Sequence, residues 1–94
     1  MARESLMRKK LVAGNWKMHG SRELTRTLVS GLAAEFGAGA PCDIAVCPPY
    51  PYLEEAARAA AGSPVAVGAQ DVSDQDQGAY TGQVSAAMLA ELGC

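Results

Sequence analysis

The sequence predicts an α/β domain built on a parallel sheet, and three observations carry the prediction. Short apolar runs recur three times, each closes on a polar or Pro/Gly loop, and each loop leads into helical periodicity. The runs are residues 10–14 closing on Asn15, residues 43–47 closing on Pro48-Pro49, and residues 65–69 closing on Gln70. They are continuous rather than alternating, as expected for parallel strands covered on both faces. No hairpin signal separates them, so right-handed crossovers are expected.

The segments between the runs read as helices. Ser21 is placed to N-cap the first, in which Leu24, Leu28, Leu32 and Phe36 recur four apart, with Val29 and Ala33 widening the stripe. Gly37, Gly39 and Pro41 stop it. Pro51 can open the second helix in its first turn, with Tyr52, Leu53, Ala56, Ala57 and Ala60 inward and Gly62 and Pro64 ending it. The third starts near Ser85, turns Val84, Met88, Leu89 and Leu92 inward, and ends near Gly93. A long polar loop, residues 70–83, precedes it, and loops of that length are usually functional or mobile.

Composition narrows the function. Of 94 residues, 49% are hydrophobic, enough for a packed core and too many for a disordered tail. The formal charge of −2 and the 5% aromatic content argue against a nucleic-acid partner, which needs cationic surface or stacking platforms. Cys42, Cys47 and Cys94 have the spacing of neither a disulfide framework nor a zinc site. No metal or cofactor is expected. The first ten residues are polar and basic without the apolar core of a signal peptide, and no later segment could span a bilayer. A cytoplasmic protein with no membrane partner is expected.

In parallel α/β folds, ligands bind at the carboxyl ends of the strands. The first strand ends in Gly14-Asn15-Trp16-Lys17-Met18-His19-Gly20. Lys17 offers a compact positive charge suited to a phosphate or a developing enolate, and Asn15 a neutral amide donor. Spacing alone also fits an ordinary surface lysine beside a turn residue, the commoner case.

Residues 14–18, Gly-Asn-Trp-Lys-Met, resemble the first-strand signature of triosephosphate isomerases. Pro48-Pro49 is similar to that family's second loop, and residues 68–73 to the end of its third strand. Residues 78–89 resemble its third loop and the helix that follows. The four blocks run in order from about residue 10. The resemblance implies a partial (β/α)8 TIM barrel of three parallel β/α units, and an isomerase of glycolysis and gluconeogenesis. It would interconvert glyceraldehyde 3-phosphate and dihydroxyacetone phosphate by proton transfer through an enediolate. It implies a catalytic Lys17 that also binds the triose phosphate substrate, and a substrate-binding Asn15. It further implies that Gly78, Ala79, Tyr80, Thr81, Gly82 and Gln83 form a loop entering the neighbouring subunit of a homodimer, with Thr81 at its tip supporting that subunit's Asn15 and Lys17. Trp16 is expected to pack, since indole has one donor and a large apolar body.

Two departures stand out. Gln83 replaces the family's usual Glu and cannot form its ion pair. His19 stands where Asn is frequent, at a turn, and is read as a solvated loop residue rather than a catalyst. In the family, itself a general illustration of paired acid–base roles, a Glu base, a neutral His and a water-excluding lid follow the fourth strand. Here the expected organisation is an extension over residues 1–9 and then the N-terminal portion of the barrel over residues 10–94, truncated before that strand. Glu54, Glu55 and Glu91 fall within helices, so the isolated chain is expected to be inactive. Three strands would leave open edges, implying a longer chain or self-association. The alternatives are an inactive folding fragment or scaffold of that barrel, or another phosphate-binding (β/α)8 enzyme.

Overall fold

A computed structural model describes residues 8–94; residues 1–7, most of the expected extension, lie outside the described residues. The chain runs β1 (Leu11–Asn15), α1 (Arg22–Glu35), β2 (Asp43–Cys47), a 3-10 turn (Tyr50–Tyr52), α2 (Leu53–Ala60), β3 (Val65–Val67) and α3 (Ala86–Glu91). The strands form one parallel sheet in the order β1-β2-β3, with Gly14 opposite Val46 and Val46 opposite Val67. These are three parallel β/α units in succession, the arrangement that the resemblance to a partial (β/α)8 TIM barrel implies.

The core lies on one face of this sheet. Ile44 and Val46 of β2 and Val65 and Val67 of β3 are buried with Val29, Leu53, Ala56, Ala60 and Leu89 from the helices. On the opposite face Ala45 and Cys47 are only half-buried and Ala66 is exposed. The expectation of strands covered on both faces is corrected here: among the described residues the helices cover one side. Strand β1 is exposed along its whole length, with Leu11 63% and Val12 59% accessible. Val12 shares its sheet face with Ile44, yet it stands at the sheet's edge, away from that buried cluster.

Local chemistry sets the helix ends. Ser21 caps α1 by accepting the Leu24 N–H at 3.0 Å. Ser85 caps α3 by accepting from Met88 at 3.3 Å. Pro51 lies in the 3-10 turn that leads into α2. At the end of α3, Gly93 takes φ +96°, and the Cys94 N–H reaches back to the Leu89 carbonyl at 3.1 Å. A Cβ at Gly93 would lie 3.3 Å from that of Ala57, so the end of α3 approaches α2 closely.

The buried face of α1 differs from the predicted stripe. Thr25 and Val29 are fully buried, Leu32 and Phe36 pack partly against the core, and Leu24 and Leu28 remain 46% and 42% accessible. A strict spacing of four drifts about 40° per step around a helix with 3.6 residues per turn. Leu24 and Phe36 therefore cannot share one narrow face, and the residues at 25, 29, 32 and 36 do. Thr25 tolerates burial because its hydroxyl donates to the Ser21 carbonyl at 2.6 Å. In α3, Leu89 is buried as expected, but Met88 is exposed. Between the helices, Arg26 pairs with Glu55 at 3.1 Å.

Candidate functional site

Because the strands are parallel, their carboxyl ends meet on one rim. There the Trp16 N–H donates to the Cys47 carbonyl at 3.2 Å, and the Gly68 N–H to the Val46 carbonyl at 2.9 Å. Asn15 and Lys17 come together on this rim. The Asn15 side-chain oxygen accepts the Lys17 N–H at 2.9 Å, the geometry of an Asx turn. Lys17 has φ +55°, the one non-glycine residue with positive φ among the described residues. That backbone costs about 1–3 kcal/mol where surrounding structure enforces it. The Lys17 side chain is exposed and makes no ion pair among the described residues.

Two residues to which the sequence assigned no role bind this rim together. The Gln70 side-chain nitrogen donates to the carbonyls of Lys17 and Cys47, at 2.8 Å each. The Tyr50 hydroxyl donates to the Asp71 carbonyl at 2.7 Å, tying the loop after β2 to the loop after β3. Burial and then the nearby Asp71 charge push the Tyr50 phenol above its ordinary value.

The neighbouring side chains pack. Trp16 is half-buried against the core, as expected for a packing residue. Gly20, at φ +136°, lies beneath Tyr52 and Trp16: a Cβ there would meet the Tyr52 ring at 3.2 Å and the Trp16 ring at 3.4 Å. His19 is exposed. No group of His, Cys, Asp or Glu side chains suited to a metal ion occurs among the described residues.

The loop between β3 and α3 is ordered by its own contacts. Ser73 and Ser85 form an isolated parallel bridge at its root, and the Gln83 N–H donates to the Tyr80 carbonyl at 3.0 Å nearer its tip. Gly78 packs under the Tyr80 ring, and Tyr80 is half-exposed. Thr81 and Gln83 are exposed, and no hydrogen bond joins Thr81 to Asn15 or Lys17 of the same chain among the described residues. The structure thus brings Asn15 and Lys17 into one unit, and no hydrogen bond joins Thr81 to that unit among the described residues.

Glu54, Glu55 and Glu91 lie on α2 and α3, as predicted. Glu54 pairs with Arg58 at 2.9 Å. Near the rim, the Asp71 carboxylate accepts the Val72 N–H at 2.9 Å. The rim therefore carries the Lys17 ammonium beside the Asn15 carboxamide, an arrangement able to hold an anion or stabilise negative charge.

Comparison with known proteins agrees with this geometry. The family profile described as triosephosphate isomerase matches residues 10–94. The triosephosphate isomerase of Dechloromonas aromatica is 53% identical over 88 residues, covering 94% of this chain and 35% of its own. That of Herminiimonas arsenicoxydans is 56% identical over 88 residues with the same coverage. The crystal structure of triosephosphate isomerase from Bartonella henselae superposes with a TM-score of 0.81 at 34% identity, covering 92% of this chain and 35% of the other. The chain thus spans about a third of the length of the relatives it matches. By profile, sequence and fold alike, it belongs to the triosephosphate isomerase family.

Proposed function

We propose that residues 10–94 supply the electrostatic half of an active site that interconverts glyceraldehyde 3-phosphate and dihydroxyacetone phosphate. The observation that carries this reading is the Asn15–Lys17 unit at the carboxyl rim of a parallel sheet. The Asn15 oxygen is occupied by the Lys17 N–H, which leaves the two hydrogens of its side-chain nitrogen free to donate to a substrate oxygen. The Lys17 ammonium binds the same substrate and stabilises the charge that grows on its oxygen as the enediolate forms. Removing one such donor typically costs about 10²–10³ in turnover.

Under this reading residues 10–94 are the N-terminal portion of the barrel, which continues with a fourth strand, and residues 1–9 are an extension. The exposed β1 and the 35% coverage of the relatives support it. The base that moves the proton is supplied by the rest of the barrel, since Glu54 and Glu55 are already paired with Arg58 and Arg26. General acid–base help contributes about 10²–10⁴-fold, so the 94-residue chain alone is inactive. The enzyme works in the cytoplasm in glycolysis and gluconeogenesis, as a homodimer joined through residues 78–83, with Thr81 supporting the partner's Asn15–Lys17 unit. The exposure of Tyr80, Thr81 and Gln83, with no hydrogen bond from Thr81 to its own Asn15 or Lys17 among the described residues, supports the dimer.

A chimera tests the proposal, with residues 10–94 joined to the remaining two-thirds of the Dechloromonas aromatica enzyme. The chimera is expected to isomerise glyceraldehyde 3-phosphate, Lys17→Met in it to lose at least about 10²-fold, and the 94-residue chain to show no rate above buffer. Full turnover in the Lys17→Met chimera, or conversion by the 94-residue chain free of host enzyme, overturns it.

A further inference from the structure

We infer that Gln70 is a positioning residue for Lys17, a role that rests on the proposed reading of the Asn15–Lys17 unit. Both backbone polar groups of Lys17 are held by side-chain amides. Its N–H is bound by Asn15 at 2.9 Å and its carbonyl by Gln70 at 2.8 Å. The second hydrogen of the Gln70 nitrogen goes to the Cys47 carbonyl, also at 2.8 Å. One carboxamide, rooted just past β3, therefore staples the turn after β1 to the end of β2.

The need for such a staple follows from the Lys17 backbone. At φ +55° a lysine is unfavourable, and this conformation persists only where its surroundings over-determine it. Asn15 is local and constrains one side of the peptide. Gln70 comes from 53 residues away and constrains the other. Without it, the Lys17 carbonyl loses its partner, the turn is free to relax toward negative φ, and the root of the ammonium-bearing side chain moves. Small misplacements of a charge-stabilising group cost rate, because its donors must already point at the developing charge. Gln70 need not touch the substrate for this. Both hydrogens of its side-chain nitrogen are already engaged by backbone carbonyls.

The substitutions Gln70→Ala and Gln70→Glu separate positioning from mere stability in the chimera described above. Gln70→Ala removes both donors and is expected to lower kcat by roughly 10²-fold, with a smaller change in KM. Gln70→Glu presents an acceptor to two carbonyls when ionised and regains one donor when protonated. Its turnover is therefore expected to recover as pH falls, adding a limb to the pH profile that the parent lacks. In the 94-residue chain, hydrogen exchange at the Lys17 amide is expected to accelerate in Gln70→Ala. If both variants lower the melting temperature but leave kcat, the pH profile and the Lys17 amide unchanged, Gln70 is only structural and the inference falls. Should Gln70→Ala melt below the assay temperature, the pH profile of Gln70→Glu decides alone. Failure of the underlying reading shows separately, in a Lys17→Met chimera that keeps its turnover.

Discussion

Ser73 and Ser85 stand opposite one another as a parallel bridge, with the Ser73 N–H donating to the Val84 carbonyl at 2.8 Å. This bridge closes the root of the loop that carries residues 74–84. Ser85 is buried and also caps α3, so one residue serves the loop and the helix together. Ser85→Ala is expected to cost about 1–2 kcal/mol. Chemical denaturation measures the loss, and hydrogen exchange should show faster exchange at both the Ser73 and Met88 amides. A change confined to Met88 would mean that the loop does not depend on the cap.

Gly78 sets the shape of the same loop. It adopts φ +141°, and a Cβ built there would lie 2.7 Å from the Tyr80 ring. The half-exposed ring can swing aside, so the backbone conformation dominates the penalty. Gly78→Ala is expected to destabilise the loop by about 1–3 kcal/mol and to speed exchange of the Gln83 amide, which bonds to Tyr80. An unchanged Gln83 amide would show that the loop accepts the side chain.

The face that α1 turns inward can be weighed directly. Val29 is fully buried, whereas Leu24 is 46% accessible. Val29→Ala is expected to cost about 1–3 kcal/mol, and Leu24→Ala, although it removes a larger side chain, under about 1 kcal/mol. Reversal of that order in urea titrations would restore the stripe predicted from spacing four.

Tyr50 makes the chain sensitive to alkali. Burial first, and the Asp71 charge second, raise its phenol above the ordinary 10.0. For a raised value, the stabilisation is whole below the ordinary value and is lost as pH rises through the raised one. The phenolate also loses the hydrogen that reaches the Asp71 carbonyl. A titration followed by phenolate absorbance should contain a step above pH 10.0 that Tyr50→Phe removes, together with a flatter alkaline unfolding curve. A late step that survives in Tyr50→Phe would assign it elsewhere.

The sequence disclosed whatever depends on short-range chemistry. The β2 span Asp43–Cys47, the caps Ser21 and Ser85, and the adjacency of Asn15 and Lys17 all rest on residues a few positions apart. What it hid depends on distance or on partners. Gln70 looked like a residue that merely ends a strand, because its acceptors lie 53 and 23 positions away. The continuous apolar runs implied strands buried twice over, but β1 is exposed along its whole length. On α1, leucines spaced four apart suggested one face, and only the helical period showed that a threonine belongs in the core.

The left-handed lysine sets heat tolerance against chemistry. Glycine at that position would relax the backbone at no steric cost, so a library sorted only for surviving high temperature should enrich glycine codons there. Every such winner would have discarded its ammonium. A library sorted for turnover should keep the costlier codon, which makes position 17 a place where two selections read opposite letters.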